Sequence, residues 1–283
     1  MRPKTLPAAI APVVIGTAMA YGDGKQHFLS AAFCLFCALL IQIGTNLSND
    51  YFDFKKGTDN AKRIGPTRIT QAGLVKPSSV KNAFILVFLT AVLASFYLVF
   101  RGGLPVIIIG ILSIASGILY TAGPKPLGYI GLGELFVLIF FGPVPVAGTY
   151  YVQSLEWNTT AVLIGIASGF LSVSMLAVNN YRDIQTDKET GKCTLAVLFG
   201  QTFARYEYII SILLASLIPV VIYFRDRSHP GILFCVLLLL AAIPSIKRVL
   251  IKIDGPALNS VLADTGKLML IYSVVFSLGW ILW

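Results

Sequence analysis

Long runs of residues that are apolar on every side dominate this chain. A bilayer core about 30 Å thick is crossed by about 20 apolar residues in a helix. Nine stretches meet that requirement, near 6–22, 28–51, 82–100, 104–121, 131–150, 161–180, 208–224, 230–246 and 267–283. None alternates apolar with polar residues as a barrel strand would. Helices also satisfy their own backbone groups in lipid. The pattern therefore predicts an all-α, polytopic membrane protein with nine transmembrane helices. Arg2, Lys4 and the ending Ala18-Met19-Ala20 give the first stretch the outline of a signal peptide. Pro7 and Pro12 interrupt it and eight more stretches follow, so it is read as an uncleaved first helix.

Composition agrees. The chain is 56% hydrophobic and 12% charged, where soluble domains carry about 25% charged residues. That excludes a soluble globular protein and a disordered one. Four Cys in 283 residues are too sparse for a disulfide scaffold. Charge then orients the spans. With the N-terminus cytoplasmic, only Lys25, Arg101, Arg225 and Arg227 of the 22 basic residues lie on the outer side. The C-terminus is then outside, and the two long loops, 52–81 and 181–207, are cytoplasmic. Function is expected there. A basic face of this kind suits anionic lipid or an anionic substrate; without a soluble basic domain, nucleic acid is a poor fit.

The 13 acids are not scattered. The second stretch ends in Asn49-Asp50-Tyr51-Phe52-Asp53, and the sixth in Asn179-Asn180-Tyr181-Arg182-Asp183 with Asp187 beyond. Asn49 with Asp53, and Asn179 with Asp183, are each spaced by four, which puts both side chains on one helix face. The two copies look like a weak internal duplication, giving two weakly related halves. Carboxylates at a helix C-terminus oppose the macrodipole by about half a kcal/mol each, and near a bilayer such groups normally mark function. Oxygen donors without His or thiolate neighbours suit a hard cation such as Mg²⁺. Alone they would fit a cation transporter. Here bases interleave with them: Lys55, Lys56, Lys62, Arg63 and Arg68 after the first cluster, Arg182, Lys188 and Lys192 around the second, and Lys125 alone in its loop. Carboxylates mixed with bases point to a metal-bridged diphosphate. A secondary transporter is the weaker alternative, because the acids sit at helix ends and not at the midplane.

Other signals carry less. Cys34-x-x-Cys37 lies in an apolar stretch without further ligands and is read as packing. His27 and His229 fall in outer loops and are expected to be solvated. Gly131, Gly133, Gly142 and Gly148 either open a lateral groove or serve as packing contacts. Glu134 is an intramembrane acid without an evident partner, expected near a bound substrate or in a buried pair.

The clusters Asn49–Asp53 and Asp183–Asp187 resemble the paired aspartate-rich motifs of the UbiA-type intramembrane aromatic prenyltransferases, over nearly the whole chain. Arg2-Pro3-Lys4-Thr5-Leu6-Pro7, Gly65-Pro66-Thr67-Arg68 and Gly191-Lys192-Cys193-Thr194 are similar to the branch that acts on 1,4-dihydroxy-2-naphthoate in menaquinone synthesis. The resemblance implies one transmembrane domain over 1–283, with motifs in 46–76 and 179–200 and an active site on the cytoplasmic side. It implies Mg²⁺-dependent transfer of a polyprenyl group from its diphosphate to the naphthoate, with loss of CO₂. Other aromatic acceptors (4-hydroxybenzoate, homogentisate, haem) are the alternatives. Asn49, Asp53, Asp183 and Asp187 would hold metal, with Asp50 assisting and Asp59 and Asn179 as further candidates. Many relatives carry another Asp four residues after Asp53, where this chain has Gly57. Lys56, Arg63, Arg68, Lys125, Arg182 and Lys192 would neutralise the diphosphate. Tyr120, Tyr129, Tyr181 and Glu134 would face the allylic cation or the acceptor. The implied setting is the cytoplasmic (inner) membrane, with no obligate protein partner.

Overall fold

The computed structural model describes residues 3–58, 65, 68, 70–252 and 254–283. Asp59, Lys62 and Arg63 lie outside the described residues, as does Arg2. Ten α-helices are described: α1 (Pro7–Gly22), α2 (Phe28–Lys55), α3 (Pro77–Gly102), α4 (Leu104–Leu119), α5 (Gly133–Phe140), α6 (Pro143–Ser154), α7 (Thr159–Glu189), α8 (Leu195–Asp226), α9 (Leu238–Ile251) and α10 (Gly255–Leu282). There is no strand among the described residues. Eight segments are long and apolar enough to cross a membrane, with α5–α6 acting as one and the 3₁₀ turn Pro230–Leu237 joined to α9 as another. The remaining expected stretch is α4, which has only 16 residues.

The protein is thus an all-helical, multi-pass membrane protein. Its centre is α7: 72% of its apolar window is buried, against 22% for α2 and for α3. α7 packs on α8, α6, α5 and α10, while α1 fills the space between α10 and α6. Tyr208, Ile164, Leu171, Met19 and Phe276 close the core around it. Side chains start several helices. His27 accepts from the Ser30 backbone N–H at α2 (3.3 Å), Asn158 from Ala161 at α7 (3.1 Å) and Asp254 from Ala257 at α10 (2.9 Å). Each satisfies a donor that the first helical turn leaves orphaned.

Expected and observed elements differ at three places. The stretch 131–150 is two helices, because Gly142 leaves helical geometry (φ −123°, ψ −109°) and Pro143 opens the next one. A Cβ at Gly142 would lie 2.7 Å from the Gly165 carbonyl oxygen and 2.9 Å from the Gly169 Cα, so Gly142 is a backbone-to-backbone contact with α7. The expected loop 181–207 shrinks to five residues, 190–194, because α7 continues to Glu189 and α8 begins at Leu195. Hydropathy misses these ends: the polar residues there are satisfied by one another, as shown below. Finally, His27 and His229 are not simply solvated. The first caps α2, and the second stacks on Trp280 with ring centroids 3.9 Å apart.

The glycine seam is exacting. A Cβ at Gly165 would stand 2.5 Å from the Pro143 Cα, where backbone must move and not merely a side chain. Gly165→Ala is expected to cost about 1–3 kcal/mol and to lower the melting temperature of the detergent-solubilised protein by several degrees. An unchanged thermal unfolding curve would show that the α6–α7 contact is not this tight.

Candidate active site

The polar face of α2 is held from the N-terminal side first. Gln42 donates to the Thr5 carbonyl (3.0 Å) and Asn46 to the Thr5 hydroxyl (3.1 Å). One turn further on, α2 presents Asn49, Asp50 and Asp53, all buried. The Asn49 carbonyl oxygen accepts from the Thr121 hydroxyl at 2.9 Å. Arg68 pairs with both acids, to Asp50 and, at 3.3 Å, to Asp53. The second Asp53 oxygen accepts from the Tyr129 hydroxyl at 2.8 Å. Burying two carboxylates is tolerable only with such pairing.

The second cluster lies along the end of α7. Arg182 donates to both oxygens of its neighbour Asp183 (2.7 and 2.5 Å), to Asn179 (2.8 Å) and to Asn259 of α10 (2.7 Å). Lys192 stands 3.5 Å from one oxygen of Asp187. The other Asp187 oxygen is buried and has no hydrogen-bond partner among the described residues. Asn180, facing α5, donates to Glu134 at 2.9 Å. Glu134 therefore has a buried hydrogen-bond partner.

Tyr129 joins the two clusters. It sits in the 3₁₀ turn Leu127–Tyr129 between α4 and α5. The Lys56 ammonium lies 4.8 Å from its ring centroid and that of Lys192 5.6 Å. Its backbone oxygen accepts from the Cys193 N–H at 3.0 Å, and Thr58 meets its hydroxyl at 2.9 Å. Asp187 is within electrostatic reach of both Asp183 and Asp53. Two acidic helix ends more than a hundred residues apart in sequence thus face each other across one phenol. Burial, with the Asp53 charge beside it, pushes the Tyr129 hydroxyl well above its ordinary pKa, so it stays a donor. Burial pulls the Lys56 ammonium below its usual value, although Asp53 opposes this. Its protons go to the Thr121 and Gly123 carbonyls (2.8 and 3.0 Å).

The other candidates are placed differently. Lys125 is exposed and outside these networks. Tyr120 packs over Gly128 and Gly133. Tyr181 turns towards α8 and the end of α9: its hydroxyl accepts from Arg205 at 2.9 Å and donates to the Lys252 carbonyl at 3.3 Å. Sequence reasoning missed Thr58, Thr121, Asn180 and Asn259. Thr121 and Asn259 are remote from the acids in sequence and only the fold brings them there; Asn180 lies inside the second motif, but no spacing announces its bond to Glu134. Among the described residues no three His, Cys, Asp or Glu converge on one point; Arg68, Arg182 and Lys192 stand between the carboxylates.

The arrangement suits a divalent cation held together with an anion. Its acceptors are hard oxygens, one buried carboxylate oxygen is unsatisfied, and the interleaved bases match phosphate. A membrane-embedded helical bundle with such a site belongs to the class of proteins that handle lipid diphosphates. The chain belongs to the UbiA prenyltransferase family, whose model matches residues 9–282. It is 39% identical over 293 residues to the 1,4-dihydroxy-2-naphthoate octaprenyltransferase of Escherichia coli, covering 99% of this chain and 92% of that one. The enzyme of the same name from Mycobacterium tuberculosis is 38% identical, over 96% and 92% of the two chains. Among solved structures, the apo UbiA homologue of Aeropyrum pernix superposes with a TM-score of 0.74 at 14% identity, over 100% of this chain and 98% of that one. A UbiA homologue from Archaeoglobus fulgidus, bound to GPP and Mg²⁺, superposes at 0.70 and 14%, with the same coverage.

One substitution isolates the bridging phenol. Tyr129→Phe keeps the ring between the two lysines and removes its hydrogen bond to a carboxylate. Such bonds contribute about 1.5–3 kcal/mol, so kcat/KM is expected to fall about 10- to 100-fold. Steady-state kinetics of the prenyl transfer argued next would check it.

Proposed function

We propose that this protein transfers a polyprenyl group from polyprenyl diphosphate to 1,4-dihydroxy-2-naphthoate with loss of CO₂, giving demethylmenaquinol, in a Mg²⁺-dependent reaction. The observation that carries this reading is the meeting of the two acidic helix ends across Tyr129, in a chain that matches two enzymes of that name along almost its full length.

Asp53 and Asp187, with Asn49 and Asp183, are the groups that would hold the metal, and Asp50 supports them through Arg68. Mg²⁺, when bound, supplies positive charge against the diphosphate oxygens. The protein's own cations supply the rest. Arg68, Lys56, Arg182 and Lys192 now face carboxylates, carbonyls and the Tyr129 ring, and are placed to turn to phosphate oxygens. The diphosphate leaves with the electron pair of the allylic C–O bond. The electron-rich ring gives a pair to the allylic carbon. The bond to the carboxyl carbon then returns its pair to the ring as CO₂ departs. Tyr129 and Tyr120 lie next to this region and offer ring faces to a cation.

The setting follows from the same reading. The chain is one domain over 1–283 with nine crossings, α4 included, in two weakly related halves centred on α2 and α7. Both motif ends and the turn bearing Tyr129 touch, so they share one side, and the basic loops make that side cytoplasmic. The N-terminus is then inside and the C-terminus outside, in the cytoplasmic membrane. No further protein chain is required.

The test is direct. Membranes holding the protein are incubated with a polyprenyl diphosphate, Mg²⁺ and either the naphthoate or 4-hydroxybenzoate. An EDTA-sensitive, decarboxylated prenyl-naphthalenediol is expected. Product from 4-hydroxybenzoate alone would keep the class and overturn the acceptor. Product undiminished by EDTA would overturn the metal.

A further inference from the structure

Beside the second acidic motif, α5, α7 and α8 line an open cavity of about 360 Å³. Its walls are largely apolar, with Phe170 of α7 and Phe203 of α8 among them. Two acids line it: Glu134, only 8% exposed, and Glu207. Glu134 uses one oxygen for Asn180. One oxygen of Glu207 is wholly shielded and has no hydrogen-bond partner. The two carboxyls are within electrostatic reach of each other. At the rim, Tyr206, Leu135 and Ile210 are each half exposed or more, on helices whose outward faces meet lipid. The cavity thus opens sideways into the membrane.

Two carboxyls facing an apolar space restrict what fits there. They accept hydrogen bonds, so an occupant must offer donors. Two such neighbours do not both ionise in apolar surroundings, and the charge that remains repels a further carboxylate, so the occupant must not carry one. The aromatic walls favour flat rings, and the rim admits molecules dissolved in lipid. A neutral aromatic diol meets all four conditions. The carboxylated acceptor fails the second, and a diphosphate fails it more strongly.

We propose that this cavity is a binding site for a neutral para-hydroquinone, which in the reaction argued above is the decarboxylated product on its way into the bilayer. The identity of the diol rests on that reading; the site itself rests on the cavity and its two carboxyls. Glu207 is a hydrogen-bond acceptor for one phenolic hydroxyl, and Phe203 is a ring face. Neither touches the acidic motifs.

The experiment measures equilibrium binding of 1,4-naphthalenediol to the purified full-length protein in nanodiscs, kept anaerobic and reduced. 1,4-Dihydroxy-2-naphthoate is measured in parallel. In Glu207→Gln, diol affinity is expected to fall about tenfold, because one of the two side-chain acceptor oxygens becomes an amide donor. Affinity for the naphthoate should stay unchanged. Phe203→Leu, a gentler change, is expected to weaken the diol several-fold, and thermal unfolding verifies that both variants fold. Equal diol binding by wild type and both variants would overturn the proposal, as would no binding by wild type. So would Mg²⁺ binding, measured without any diphosphate, that Glu207→Gln abolishes, since the cavity would then be a cation site. Failure of the functional reading looks different. Glu207-dependent diol binding in a protein that does not prenylate the naphthoate would leave the site standing and remove only its role as product exit.

Discussion

Asp187→Asn is expected to lose at least about a thousandfold in prenyl-transfer rate while melting no lower than the wild type. The two halves of that result have one cause. Asp187 is buried, Lys192 stands 3.5 Å from one of its oxygens, and among the described residues its second oxygen accepts no hydrogen bond. An unsatisfied buried carboxylate is costly to the fold, and an amide of the same shape removes that charge. Its retention is then explained by what it binds, not by what it stabilises, as at other sites where stability yields to function. Removing a charge that would hold metal against the leaving diphosphate forfeits several kcal/mol of transition-state stabilisation. Rate measurements paired with thermal unfolding check both halves. A variant of undiminished rate would end the assignment of Asp187 as a metal-holding residue. Asp53→Asn makes the contrast: Asp53 bonds to Arg68 and Tyr129, so that change should lower rate and stability together.

Arg68→Met should have the largest effect on the fold. The guanidinium is nearly inaccessible, its side chain 8% exposed, and Asp50 and Asp53 beside it are 6% and 10% exposed. Its removal leaves two buried carboxylates without their shared counter-charge. Breaking a buried ion pair from one side costs about 3–5 kcal/mol, which for a chain of this size lowers the melting temperature by about 10 °C. Turnover should vanish as well, since Asp53 loses its orientation. The double variant Asp50→Asn with Arg68→Met should regain part of the lost stability, because one of the two carboxylates that Arg68 paired is then neutral; residues in contact couple in this way. A single variant that melts with the wild type would mean that Arg68 is a surface base and not the centre of the first cluster.

Much of the site was legible before any coordinates. The apolar runs mark the crossings because lipid requires every backbone group to be satisfied within its own helix. The spacing of Asn49 with Asp53 fixes their shared face, since that face follows from helix geometry alone. The partners of these acids were not legible. Arg68 reaches Asp50 and Asp53 from beyond the helix, and Tyr129 reaches Asp53 from a turn after α4, where no periodicity connects them. Arg182 and Asp183 are sequence neighbours, which a helix does not turn towards each other, yet the long arginine side chain folds back to both oxygens. The break at Gly142 hid inside an apolar run, because hydropathy has no term for a backbone contact with Gly165 and Gly169. Glu207 was overlooked because it fell at the end of the expected loop 181–207, where an acid is ordinary; α8 begins at Leu195 and carries it into the bundle.

The 16 residues of α4 rise about 24 Å along their axis, less than the hydrocarbon thickness of about 30 Å. As the ninth crossing proposed above, this helix would thin the bilayer around it or ride towards one face. Its end leads within two residues to Thr121, whose hydroxyl holds Asn49 and whose carbonyl holds Lys56. A shift of α4 in the lipid would therefore reach the first acidic cluster across two residues. Acyl-chain length becomes an input to the active site, and vesicles of short-chain and long-chain lipids should set different turnover rates with the same protein and the same substrates.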